Sequence, residues 1–416
     1  MARSSTKGKG ISRRSAIQSV LGVASVGMMV LTQSSYAASV PPLSNREPVK
    51  ITRLETFLVK PRWIFLKVHT DAGVVGLGEP LLEGRALTIQ TAIKELEPYL
   101  IGKDPRQVVH HWQAIYRHAF YRGGPILTSA LSGIDQALWD IKGKLLGVPV
   151  HELLGGPTRD RVTVYGRASN AEQMKQRISE GYNTIKTGVA MENPARAVET
   201  PKFIDYAVNN FASLREAAGP EINIGIDFHG KISPQTAKVL IKALEPYQPM
   251  FIEEPVQCQN VDVMAEIAQS THLPIATGER IFTKWGFREI LEKGAASILQ
   301  PDLCHAGGIT EGRLIAGMAE AYYAVIAPHN PMGPISLACG LQLAASIPNF
   351  LVQEQVSLGA GYLKTPFKLQ EDGTVMVPTG PGLGIELDED QLADKIGHDW
   401  KNPETYDPRD GSVVDW

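Results

Sequence analysis

Residues 222–230 read INIGIDFHG, and residues 249–256 read PMFIEEPV. Each is a short apolar run that ends in ionisable groups. Between them lies SPQTAKVLIKALEPY, with apolar residues at helical spacing. Strand, helix, strand in this order is a parallel βα unit. Outward from this pair, similar runs recur roughly every 22 to 38 residues: VTVYGRA, NTIKTGV, LPIATGER, ASILQPD, AVIAPHN and FLVQEQ. Eight runs alternating with amphipathic segments such as GRLIAGMAEAYY predict an α/β chain closed into a barrel. A doubly wound open sheet would place its ligand at a glycine-rich first turn, and the sequence has none there.

In a parallel barrel, chemistry sits at the C-terminal ends of the strands. Seven of the eight runs finish on ionisable residues: Lys186, Asp227 with His229, Glu253-Glu254, Glu279-Arg280, Asp302, His329 and Glu354. Residues i and i+2 of a strand share a face. Asp227 and His229 are therefore expected to project into the same space. Asp227, Glu253 and Glu279 are spaced by 26 and again by 26 residues, one βα repeat each. Three carboxylates on neighbouring strands repel unless a cation joins them. An all-oxygen ligand set predicts Mg²⁺.

The residues before the barrel have another rhythm. VKITRLETFLV, WIFLKVHT and GVVGLGEP read as strands, with Asp71-Ala72-Gly73 as a hairpin turn. Helical patterns follow around 84–101, 105–120 and 127–146, the last closed by a glycine. Residues 48–155 are thus expected to form an α+β domain ahead of a barrel over 156–356, with 357–416 left as a C-terminal segment. Three cysteines are too few for a disulfide framework. No basic run follows the first residues, which argues against nucleic acid as a partner.

The N-terminus is a separate object. A basic start leads into an apolar run from Ala16 to about Thr32, and then to Ser35-Tyr36-Ala37, a small-x-small cleavage pattern. Residues 1–37 are expected to be a signal peptide, and Arg13-Arg14 gives it twin-arginine character. An ordinary secretory signal and an uncleaved anchor are the competing readings. Removal of its five positive charges would take the formal charge from −3 to −8. A net-negative enzyme acting on an anion then needs local positive charge, such as a metal ion.

The motifs GIDFHG, FIEEPV, TGER, ILQPD…HAGGITE, APHNPMGPI and VQEQ resemble the enolase superfamily, mandelate racemase subgroup. The likeness runs over nearly the whole chain after residue 48 and is closest to the galactonate dehydratases. It implies a (β/α)₇β barrel under an α+β cap, with the C-terminal segment returning to that cap, one Mg²⁺ and proton abstraction beside a carboxylate. By the same resemblance, Asp227, Glu253 and Glu279 hold the metal, while Lys186 and Glu354 hold the substrate carboxylate, Glu354 as a hydrogen-bonding acid. His329 is the base, oriented by Asp302, and His229 is the acid for the departing hydroxyl. The expected protein is a periplasmic homo-oligomer with a small sugar acid as its partner and no membrane contact after signal removal.

Some residues depart from the subgroup. Racemases carry Lys-x-Lys on the second strand. Here the stretch is Lys186-Thr187-Gly188, which argues against two-base racemisation and for dehydration. Asn330 stands where a Cys is expected in close galactonate dehydratases, and YGRASNAEQM also differs from their pattern. Dehydration of another aldonate, cycloisomerisation of an anhydro-sugar acid, and sugar-acid binding without catalysis are the rival readings.

Overall fold

The computed structural model describes residues 48–415. The expected export signal, residues 1–37, lies outside them. From Pro48 onward the chain forms one compact unit rather than two separable ones.

It opens with an antiparallel sheet of β1 (Ile51–Val59), β2 (Trp63–Thr70) and β3 (Val75–Gly78), the last two joined through the expected Asp71-Ala72-Gly73 turn. Three helices follow: α1 (Ala86–Leu100), α2 (Val108–His118) and α3 (Gly124–Leu146). Gly147 ends α3 in a left-handed conformation, φ 71°, as helix-closing glycines do. Along α3, residues 128–141 are all buried, because one side packs on β3 and another on the barrel.

The β3–α3 contact is backbone on backbone. A Cβ added at Gly78 would lie 2.0 Å from the Gly133 carbonyl oxygen. Neither backbone can retreat from a packed core. Gly78→Ala is therefore expected to lower stability by about 1–3 kcal/mol, read as a shift of the denaturation midpoint.

After α4 (Val150–Leu153) and β4 (Arg161–Thr163) the parallel strands begin. They are β5 (Gly166–Arg167), β6 (Thr184–Gly188), β7 (Asn223–Asp227), β8 (Phe251–Glu253), β9 (Ile275–Thr277), β10 (Ile298–Leu299) and β11 (Val325–Ile326), adjacent in chain order. Between them lie α5 (Ala171–Ser179), α6 (Pro201–Ala218), α7 (Pro234–Leu244), α8 (Val261–Gln269), α9 (Thr283–Glu292) and α10 (Gly308–Ala321), and α11 (Pro334–Ser346) follows β11. The eighth expected run closes the curled sheet. Phe350 pairs with Ile326 on one edge and Gln353 pairs with Val164 on the other. Tyr165, Phe251, Ala276, Ile298, Ala327 and Val352 form an apolar cluster contributed by the strands, the packed interior expected of a small barrel.

The C-terminal segment pairs β12 (Thr374–Met376) with β4, then runs through α12 (Glu389–Ala393) back to the first sheet. There Gly397 donates to the Leu58 carbonyl at 2.7 Å, and Lys60 donates to the Lys395 carbonyl at 2.8 Å. Among the described residues, no helix is long and apolar enough to cross a membrane.

Candidate active site

A cavity of about 830 Å³ opens at the C-terminal ends of the strands. Barrel residues Arg167, Lys186, Asp227, His229, Glu279 and His329 line it, together with Arg62, Glu83 and Pro125 from the α+β region and Asn402 and Asp415 from the chain's end. The strands set this placement. Register pairs Gly188 with Asp227 and Asp227 with Glu253, so successive strands bring their ends to one level.

Lys186, only 4% exposed, lies among acids. Its ammonium bonds the Glu253 carboxylate and stands 3.6 Å from Asp227 Oδ2 and 3.4 Å from Glu354 Oε1. The second Glu253 oxygen accepts from Gln300 Nε2 at 2.8 Å. Burial pushes the Glu253 carboxyl up to about 8. Lys186 pulls it down, while Asp227, Glu354 and Glu279 add to the rise.

His329 forms the other centre. Its Nδ1 donates to Asp302 Oδ2 at 2.8 Å, and its Nε2 lies 3.0 Å from Glu279 Oε2. The Cys304 amide fixes the other Asp302 oxygen at 2.6 Å. Burial favours neutral imidazole, yet the Glu354 and Glu279 carboxylates and the Asp302 hydrogen bond together raise His329 well above its ordinary range. Burial likewise opposes Glu279 ionisation, but His329 holds that carboxyl down at about 2. The two are an imidazolium–carboxylate pair.

The expected convergence of Asp227 and His229 takes a different form from strand pleating. The strand ends at Asp227, and His229 has φ 57°, in the left-handed region. The His229 amide donates to Asp227 Oδ1 at 2.7 Å, an Asx-type turn that brings the imidazole round to the cavity. Burial lowers the His229 pKa against the pull of Asp227 and Glu279. Of the expected metal ligands, Asp227 and Glu253 share Lys186, while Glu279 faces His329. Among the described residues, no three acid, histidine or cysteine side chains gather at the spacing of a metal cage.

Glu254 braces the neighbouring strand. It accepts from Thr277 on β9 and from Arg280. His305 lines the cavity, with Nδ1 2.9 Å from the Ser129 hydroxyl of α3.

Two site residues escaped the sequence reading. Arg167 ends the one strand run counted as lacking an ionisable terminus, and it bonds the Glu354 carboxylate. Its position after VTVYG was the available signal. Glu79 of GLGEP accepts from the Gly333 amide at 2.6 Å and the Ser336 amide at 3.0 Å, at the start of α11. It thereby pins the turn that follows His329.

Burial outweighs those two donors and pushes Glu79 up to about 8. A carboxyl raised on folding carries stability that is complete below its unfolded value and is lost as pH rises through its folded one. Stability is expected to decline between about pH 4.5 and 8, and Glu79→Gln to flatten that slope in pH-dependent denaturation.

A cavity at the mouth of a parallel barrel, holding an Asp–His dyad, a turn-borne histidine and buried acids, defines an enzyme equipped for acid–base chemistry. The chain belongs to the enolase superfamily, within the mandelate racemase/muconate lactonizing enzyme group. Residues 169–391 match the enolase C-terminal domain-like family, and residues 36–155 match the N-terminal domain of mandelate racemase and muconate lactonizing enzyme. The chain is 48% identical over 387 residues to a D-galactonate dehydratase of Ralstonia nicotianae, a match covering 88% of this chain and all of that protein. A D-galactonate dehydratase of Ralstonia pickettii is also 48% identical, again over its full length and 88% of this chain. Among solved structures, an Agrobacterium radiobacter enolase, provisionally a galactarate dehydratase and bound to sodium and L-malate, superposes with a TM-score of 0.82. It is 30% identical, and the match covers 88% of this chain and 99% of that one. A Salmonella Typhimurium member of the superfamily has a TM-score of 0.78 at 32% identity, covering 84% and 98% of the two chains.

Proposed function

We propose that this chain is a Mg²⁺-dependent hydro-lyase acting on an acid sugar, with galactonate as the preferred substrate. It would remove the C2 proton and the C3 hydroxyl, and the enol formed would tautomerise to the 2-keto-3-deoxy acid. The observation that carries the reading is the Asp302–His329 dyad facing Glu279 in the same cavity as Asp227 and His229.

The donor set fits a hard dication. Asp227, Glu253 and Glu279 offer only oxygen. Three carboxylates, Asp227, Glu253 and Glu354, surround the single ammonium of Lys186, and Glu279 lines the same cavity, so acids outnumber that cation. These three residues would hold Mg²⁺, which when bound supplies Lewis-acid stabilisation of the enediolate.

The chain's own groups do the proton work. Asp302 keeps Nδ1 of His329 protonated, so Nε2 is the atom that takes the C2 proton. That nitrogen is engaged by Glu279 here. The contact must open, and the imidazolium must release its proton, before His329 acts as a base. His229 is the donor to the departing hydroxyl. Gly188 stands where a second-strand lysine base would be, consistent with one-way elimination rather than racemisation.

The test is incubation of purified protein and Mg²⁺ with a panel of aldonic and aldaric acids, assayed for 2-keto-3-deoxy products. Turnover is expected with galactonate. Tight binding of one acid without turnover of any would identify a binding protein instead.

We also propose that the protein is exported to the periplasm. The basic start, the apolar run and Arg13-Arg14 support this. Arg13→Lys with Arg14→Lys is expected to leave unprocessed protein in the cytoplasm. Finding the unaltered protein there, unprocessed, would refute the export.

A further inference from the structure

We propose that Arg167 is a carboxylate-binding, specificity-determining residue: its guanidinium, rather than the Glu354 carboxyl, donates hydrogen bonds to the substrate carboxylate. The proposal rests on the reading of the cavity as an acid-sugar site and deepens it.

Glu354 is fully buried, and both its oxygens already face donors. Oε1 accepts from Arg167 Nη2, and the Lys186 ammonium stands 3.4 Å away. Oε2 accepts the Asn330 amide at 2.9 Å. A carboxyl with donors at both oxygens is an acceptor. Although burial opposes ionisation, Lys186, Arg167 and His329 hold Glu354 well below the usual carboxylate range. With both oxygens accepting, the donor's part falls to another group.

Arg167 is placed to take that part. It pairs in register with Lys186 across β5 and β6, so two cations stand on neighbouring strands. Its side chain is 50% exposed and lines the cavity. One N–H is committed to Glu354, and among the described residues no other acceptor meets the guanidinium. The remaining planar fork suits a carboxylate.

The α+β side of the cavity is built differently. Arg62 there is already matched, with Nη1 2.8 Å from Glu83 and Nη2 donating to the Pro331 carbonyl at 3.3 Å. Asn402 and Asp415 also line the cavity. Arg167 is paired with Glu354 but keeps spare N–H donors facing the cavity, whereas both terminal nitrogens of Arg62 are engaged. That distribution suits one carboxylate at one end and hydroxyls at the other: an aldonate rather than an aldarate.

The test is calorimetric titration of D-galactonate, galactarate and malonate, with Mg²⁺ present, into the full chain and its Arg167→Gln and Arg167→Lys variants. Melting temperatures of the unliganded proteins are recorded alongside. Charge-assisted, bidentate contacts are the strong ones, so Arg167→Gln is expected to weaken galactonate and malonate roughly 10–100-fold with little change in melting temperature. Arg167→Lys keeps a charge beside Glu354 but removes the fork, and is expected to recover only part of the affinity. It also serves as the comparison should the Gln variant fail to fold. Wild-type protein is expected to prefer galactonate to galactarate.

Unchanged affinity for galactonate and malonate in both variants, with turnover alone reduced, would assign Arg167 to holding Glu354 and overturn the proposal. So would a wild-type preference for galactarate. Wild-type protein that binds malonate but no sugar acid would remove the acid-sugar reading, while the malonate comparison would still decide the role of Arg167. Binding of none of the three would remove both.

Discussion

Glu253→Gln and Asp227→Asn are each expected to bring turnover to background while leaving the fold in place. Both changes keep side-chain volume and remove one negative charge from the set that would hold Mg²⁺. The fold should survive because Lys186 keeps anionic neighbours in either variant: Glu354 at 3.4 Å in both, with Asp227 at 3.6 Å when Glu253 is changed. Leaving a buried ammonium with no partner would cost about 3–5 kcal/mol, and neither variant does so. Calorimetric titration of Mg²⁺ should show binding by the wild-type protein and its loss in both variants, with melting temperatures close together. Full activity after exhaustive chelation would sink the metal assignment.

Separating the two histidines gives the second large effect. His329→Asn is expected to stop exchange of the substrate C2 hydrogen with deuterated water, and to stop dehydration with it. His229→Asn is expected to cripple dehydration but to permit C2–H exchange, because the base and its Asp302 partner remain. Acid–base assistance is typically worth about 10²–10⁴-fold, so both losses should be unmistakable. Gly188 makes the test clean, since no lysine stands at that position to abstract the proton instead. Exchange that survives in His329→Asn but vanishes in His229→Asn would reverse the two roles and put the base beside Asp227.

Much of this architecture was legible along the chain. The βα period and the acids spaced by 26 residues are local facts, and they placed Asp227, Glu253 and Glu279 at adjacent strand ends before any contact was known. The Asp302–His329 bond at 2.8 Å joins the ends of two successive runs, as their order along the chain implied. Helix bounds were legible to within a few residues, because apolar spacing and terminal glycines are set locally. His229 was legible as a cavity residue but not by the right route. Strand alternation suggested it, whereas an Asx turn with φ 57° delivers it.

What the sequence by itself determined is the repeat, and with it a parallel barrel whose strand ends gather carboxylates and histidines. Tertiary structure alone decided what those groups face. Lys186 meets Glu253 across 67 positions, Arg167 meets Glu354 across 187, and Glu79 meets Gly333 across 254. Each pairing forms only when the barrel closes or the α+β region docks on it. No local pattern encodes such partners, because hydrophobic period fixes which face a residue takes but not which distant residue shares that space. The charge state of the site follows from the same closure. Burial and neighbouring ions, not residue type, raise Glu253 to about 8 and lower Glu279 to about 2.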